Sequence, residues 1–159
     1  MSDDCVKQLV DMLLKKKLTL SLAESCTGGK IASLLTDIPG VSECFKGCAV
    51  TYSDASKEIL LNVSSTTLAQ FGAVSAETAE EMANGAMKVF GTDVAASATG
   101  IAGPDGGSDV KPIGTVFIAV TNGNRTECRG SILKGSRDDI RNGTAKSVIR
   151  MLTDLVGEM

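Results

Sequence analysis

The sequence predicts an α/β domain with helices on both faces of one mixed sheet. Short, nearly continuous apolar runs alternate with amphipathic stretches at helical spacing, the pattern of strands buried between helices. Asn122-Gly123-Asn124 separates the last two apolar runs and marks a hairpin, so some neighbouring strands are antiparallel. No linker, internal repeat or low-complexity segment interrupts the pattern, and residues 1–159 read as a single domain.

The elements follow in order. Residues 3 to 17 place Val6, Leu9, Val10, Leu13 and Leu14 on one helical face. Asp3 and Asp4 suit that helix's start, and Lys15, Lys16 and Lys17 its end, as a solvated lysine run. Residues 18 to 23 read as a buried strand, and Lys30 to Thr36 as a short helix. Pro39-Gly40 breaks that helix. Phe45 to Tyr52 is a second strand, and Ser53 or Asp54 caps a helix carrying Lys57, Ile59, Leu60 and Leu61. A short helix over about 65 to 71 ends at Gly72. Ser75 then opens a longer helix over 76 to 90, closed by Gly91, with Ala79, Met82, Ala83, Ala86, Met87 and Phe90 inward. Strands follow at 93 to 98, 115 to 120 and 125 to 133. The first two of these are separated by a glycine- and proline-rich loop from Thr99 to Gly114, long enough to suggest function. Ser136 caps a last helix with Asp138 and Asp139 in its first turn and a stripe of Ile140, Thr144, Val148, Met151, Leu152 and Leu155.

Composition excludes several function classes. Aromatic residues make up 3% of the chain, so the core is aliphatic. The net charge of −3 and the lack of a long basic run argue against nucleic-acid binding. The acidic start Met1-Ser2-Asp3-Asp4 is unlike a secretory leader, and no apolar run approaches the ~20 residues that span a bilayer. Five cysteines without a repeated CxxC pattern fit reduced thiols and a cytoplasmic location. Cys44 and Cys48 stand four apart, but no second ligand pair accompanies them, so no metal is expected. The aliphatic stripes can bury an interface as well as a core, and a homo-oligomer is expected.

The chain contains no histidine. That removes the Ser-His-Asp triad, the Cys-His pair and imidazole bases. Three polar clusters follow strands: Ser25-Cys26-Thr27-Gly28-Gly29, Thr51-Tyr52-Ser53 with Lys57 behind it, and Thr99-Gly100 with its loop. A serine nucleophile without histidine can use a lysine whose pKa is lowered in an apolar pocket. Ser25 or Thr27 supplies the hydroxyl in this reading, Lys57 the base and Tyr52 a relay. Backbone N–H groups around Gly28 and Gly29, or Gly100, are candidates to hold an oxyanion. Two plainer readings stand beside it. Ser25 and Thr27 also fit as caps of the following helix, and Lys57 also fits as a solvated helix lysine. Cys26 is a rival nucleophile that lacks a histidine partner. Arg137 and Arg141, one turn apart, are either a phosphate clamp or a solvated face.

Several motifs together resemble the CinA C-terminal domain family: AESCTGG at 23–29, PGVS at 39–42, VTYSDASK at 50–57, GAVS at 72–75, TGIAGPDGG at 99–107, KPIGTV at 111–116 and GSRDDIR at 135–141. They keep family order from about residue 5 to 155. The resemblance implies a three-layer α/β/α domain with a mixed, mostly parallel five-stranded sheet. It implies an amidohydrolase that cleaves the carboxamide of nicotinamide mononucleotide, giving nicotinic acid mononucleotide and ammonia, in pyridine nucleotide salvage. It places serine–lysine chemistry on Ser25 and Lys57, and puts Tyr52 and Thr99 near the substrate, with no cofactor. Thr27, Gly28, Gly29, Gly100, Lys111 and Arg137 are the further candidates for holding the nucleotide, with Lys111, Arg137 and the helix start at Gly28 to Lys30 the candidates for its phosphate. Two alternatives remain: a non-catalytic nucleotide-binding or regulatory module, and an amidase for another small substrate.

Overall fold

The computed structural model describes residues 3–159. Met1 and Ser2 of the acidic start, and the side chain of Asp3, lie outside the described residues. The chain runs α1 (Asp3–Lys16), β1 (Leu20–Glu24), α2 (Lys30–Thr36), β2 (Phe45–Val50), α3 (Asp54–Leu61), α4 (Ser65–Phe71), α5 (Ala76–Phe90), β3 (Val94–Gly100), β4 (Thr115–Thr121), β5 (Thr126–Ile132) and α6 (Arg137–Glu158). The predicted elements are all present, with shifts of one or two residues at some ends.

The five strands lie in the order β2-β1-β3-β4-β5. β1 pairs parallel with β2 and with β3, whereas β4 runs antiparallel to both β3 and β5. Four strands therefore point one way and β4 points back. The connection from β1 leads outward to β2, while β3 lies on the other side of β1. The direction of travel thus reverses between β1 and β3. In open α/β sheets that switch point leaves a crevice at the strands' carboxyl ends, where no crossing segment covers it.

Side-chain alternation divides the core between the two faces. Leu20 and Leu22 of β1, with Val94, Ala96 and Ala98 of β3, pack against α1, α2 and α6 through Leu9, Leu13, Ile31, Leu35, Val148 and Leu152. Ala23 and Ala95 face the opposite way, onto Met82 and Ala86 of α5 and Leu61 of α3. The exposed Lys15, Lys16 and Lys17 end α1 as a solvated run.

α5 lies close to its neighbours because its inner stripe is built of small residues. Gly85 shows why. A Cβ at this position would overlap the Leu61 carbonyl oxygen at the end of α3. Alanine in place of a helix-interior glycine ordinarily stabilises by roughly 0.5–1 kcal/mol. Here the steric term opposes that gain. Gly85→Ala is expected to lower stability by about 1–3 kcal/mol in urea unfolding, the usual cost of overpacking. A variant more stable than wild type would show that α3 and α5 are not in fixed contact.

Candidate active site

Ser25, Thr51 and Gly100 stand at the carboxyl ends of β1, β2 and β3. Main-chain bonds lock the first two positions. The Ser25 amide donates to the Ala98 carbonyl at 2.9 Å, and the Thr51 amide donates to the Glu24 carbonyl at 2.8 Å. Ser25 is therefore fixed to β3, and the end of β2 is fixed to the residue before Ser25.

Lys57 is 1% exposed although it lies on the short helix α3. Its side chain runs inward, and Nζ donates to Ser25 Oγ at 3.3 Å and to the Thr51 carbonyl at 2.9 Å. No salt bridge is formed to it among the described residues. Desolvation holds its pKa below the ordinary lysine value of 10.5, against a smaller upward pull from Asp54 and Cys26. The reading of Lys57 as a solvated helix lysine is thus excluded. Cys26 is also excluded as a ready nucleophile: it is 5% exposed, and burial pushes its thiol up to about 11.

The helix-cap reading of Ser25 and Thr27 fails as well. Gly29 is the N-cap of α2 and no side chain at that position bonds the helix. The cap is Glu24, a residue not singled out in the sequence. Its fully buried carboxylate accepts from the amides of Gly29 at 2.9 Å, Ile31 at 3.2 Å and Ala32 at 2.8 Å. A charge at the end of an apolar strand, a few residues before a helix with no Ser, Thr, Asp or Asn beside its start, was the available signal.

The remaining candidates divide. Gly28 donates its amide to the Ser25 carbonyl at 3.0 Å, and Gly29 donates to Glu24, so both N–H groups expected to hold an oxyanion are engaged. The amides of Cys26 and Thr27 donate to no protein group among the described residues. Thr99 is buried with its hydroxyl on the Ala73 carbonyl at 2.7 Å, and Gly100 pairs with Val116 in the sheet. Lys111 Nζ donates to the Phe71 carbonyl at 2.7 Å. Tyr52 is 63% exposed, and its phenol accepts from Arg137 Nη2 at 3.1 Å rather than meeting Lys57 or Ser25. Arg137 also donates to the Gly103 carbonyl at 2.7 Å, tying the start of α6 to the glycine-rich loop. Arg141 donates to the Thr27 carbonyl at 2.7 Å. Its Nε, together with the hydroxyls of Thr27 and Thr51, is buried without a protein partner. Among the described residues no cluster of three metal-ligating side chains occurs.

The fold and this site define an α/β domain that presents a buried serine–lysine pair at the switch point of its sheet. The CinA C-terminal domain family matches residues 2–156, and the chain belongs to that family. A CinA-like protein of Endomicrobium trichonymphae is 50% identical over 141 residues, which is 89% of this chain and 33% of that protein. A CinA-like protein of Geobacter sulfurreducens is 47% identical over 151 residues, 94% of this chain and 37% of that protein. The chain spans about a third of the length of these curated relatives. Among solved structures, a competence-damaged protein (CinA) superfamily protein of Klebsiella pneumoniae superposes with a TM-score of 0.96 at 28% identity, covering 100% of this chain and 99% of that one. The competence/damage inducible protein CihA of Agrobacterium tumefaciens gives 0.94 at 37% identity, covering 96% and 94%. Among the described residues no helix is long and apolar enough to cross a membrane.

The lowered pKa of Lys57 also predicts how stability varies with pH. The unfolded chain takes up the lysine proton at higher pH than the folded chain does. Burial of the charged form therefore destabilises at low pH, and the penalty fades as pH rises from the folded pKa to the ordinary value of 10.5. The stability of wild type relative to Lys57→Met is expected to rise with pH across that window, measured by urea unfolding at a series of pH values. A flat difference would contradict the depressed pKa.

Proposed function

We propose that this domain is an amidohydrolase that cleaves the carboxamide of nicotinamide mononucleotide, with Ser25 as nucleophile and Lys57 as base. The observation that carries the reading is the 3.3 Å contact between Lys57 Nζ and Ser25 Oγ in a chain that has no histidine. Lys57 is dry, held by a carbonyl and tuned toward its neutral form, which is what a lysine general base needs.

In this mechanism Ser25 Oγ attacks the amide carbon while neutral Lys57 takes the hydroxyl proton. The tetrahedral intermediate collapses, and Lys57 returns the proton to the departing ammonia. Water then attacks the Ser25 ester while Lys57 takes its proton, and Lys57 returns that proton to Ser25 Oγ as the ester C–O bond breaks and the free carboxylic acid leaves. The oxyanion is held by the amides of Cys26 and Thr27, since those of Gly28 and Gly29 are already engaged. Thr27 lines this turn and serves the reaction through its amide rather than as the nucleophile. Tyr52 and Arg137 bind the nucleotide at the mouth, where the guanidinium retains donors beyond those used on Gly103 and the phenol. Thr99 and Gly100 shape the opposite wall at the end of β3. Lys111 reaches the phosphate by releasing the Phe71 carbonyl. The buried hydroxyls and guanidinium nitrogen that lack protein partners suit a polar substrate rather than an apolar one.

A panel of small amides and esters scored for product release, with nicotinamide mononucleotide scored for ammonia, tests this assignment. Wild type is expected to release ammonia from the mononucleotide without added metal. Ser25→Ala and Lys57→Met are each expected to lose about 1,000-fold or more in kcat with the fold retained by circular dichroism. The rate should rise with pH as Lys57 loses its proton, through a value below 10.5. Full activity in Ser25→Ala would refute the nucleophile assignment. Nucleotide capture without any ammonia would favour a binding module instead.

A further inference from the structure

We propose that Glu24 is a positioning residue for the Ser25–Lys57 pair, and that it must be a carboxylate to do so. The proposal rests on the reading of Ser25 and Lys57 as the reacting groups. Glu24 ends β1 and immediately precedes Ser25. Its Oε2 accepts from the amides of Gly29 and Ile31, while its Oε1 accepts from the amide of Ala32 and from the Cys48 thiol at 3.6 Å. Its own carbonyl accepts the Thr51 amide, and the Thr51 carbonyl accepts Lys57 Nζ. The side chain of one residue therefore fixes the turn leading away from the nucleophile. The main chain of the same residue fixes Thr51, whose carbonyl holds the base.

The donor geometry sets the requirement for a carboxylate. Donors converge on both oxygens, so both positions must accept. Glutamine would place an NH2 group, a donor, against either the Ala32 amide or those of Gly29 and Ile31. The site is fully buried, so water cannot relieve the clash of donors. Relief requires the 25–29 turn to move, and Ser25 Oγ moves with it relative to Lys57 Nζ. A misplacement on the order of 1 Å at a reacting pair costs about 100-fold in rate. Aspartate keeps both acceptors but withdraws them by one methylene. The helix start at Gly28 to Lys30, expected as a phosphate anchor, is occupied: the Gly29, Ile31 and Ala32 amides donate to Glu24, the Gly28 amide to the Ser25 carbonyl and the Lys30 amide to the Thr27 carbonyl.

A cap that is only structural would lower stability and leave the chemistry of the folded protein intact. The test therefore compares wild type, Glu24→Gln, Glu24→Asp and the remote core variant Val10→Ala by two readouts in the folded state. One is kcat and KM for ammonia release from nicotinamide mononucleotide. The other is the titration of Lys57, followed by NMR in protein carrying isotopically labelled lysine. In Glu24→Gln, kcat is expected to fall 10- to 100-fold with KM within about threefold. The Lys57 titration should rise toward the ordinary lysine range as water reaches the displaced pair. Glu24→Asp should move both readouts the same way by less, and it decides the matter if Glu24→Gln does not fold. Val10→Ala should lose stability and keep kcat. Wild-type kcat with an unchanged Lys57 titration in a folded Glu24 variant overturns the proposal, as does an equal loss of kcat in Val10→Ala. If wild type releases no ammonia but the Lys57 titration still moves in Glu24→Gln, the substrate assignment fails and the positioning role stands.

Discussion

A buried carboxylate at the start of α2 governs the geometry around Ser25. Glu24 satisfies amides that the first turn of a helix otherwise leaves unpaired, and its negative charge lies at the positive end of the helix dipole. Because the cap comes from the strand rather than from the turn, Ser25 and Thr27 are not needed for it. The two glycines that follow, with φ of 61° and 88°, allow the chain to double back so that Glu24 can reach the helix it precedes. The Ser25 hydroxyl is thereby left to meet Lys57.

The second constraint is the burial of a lysine in a chain that has no histidine. Lys57 is carried inward by α3 and covered until it is 1% exposed. Burying an ammonium without a carboxylate costs stability, and the same cost lowers the pKa toward the range where a lysine can accept a proton. The α5 packing that depends on Gly85 contributes here, because α5 presses against the end of the helix that bears Lys57. Stability is surrendered at one residue and recovered across the two apolar layers of the core.

Much of the fold was legible in the sequence because periodicity and cap chemistry agreed. Ser53, Ser75 and Ser136 cap α3, α5 and α6 as their positions suggested, and Gly91 closes α5 in the left-handed conformation. The serine–lysine pair was legible as a possibility, through the missing histidine and the strand-end placement of Ser25. Its geometry was not, because an inward-turned lysine on a short helix looks in sequence like any solvated one. Glu24 was missed because local cap rules favour Ser, Thr, Asp and Asn next to the helix, whereas this cap reaches it from five to eight residues upstream. Tyr52 reads in the sequence as a relay between the hydroxyl and Lys57. Tertiary packing instead turns the phenol outward to Arg137, 85 residues away in the chain.

As the nucleophile of the proposed reaction, Ser25 Oγ becomes covalently attached to the acyl group of the substrate. Rapid acid quench during turnover of nicotinamide mononucleotide, followed by peptide mass mapping, tests it directly. An ester of the nicotinic acid nucleotide is expected on the peptide containing Ser25 and is absent in Ser25→Ala. Turnover with no adduct on that peptide, or an adduct mapped to Cys26 or Thr27, would contradict it.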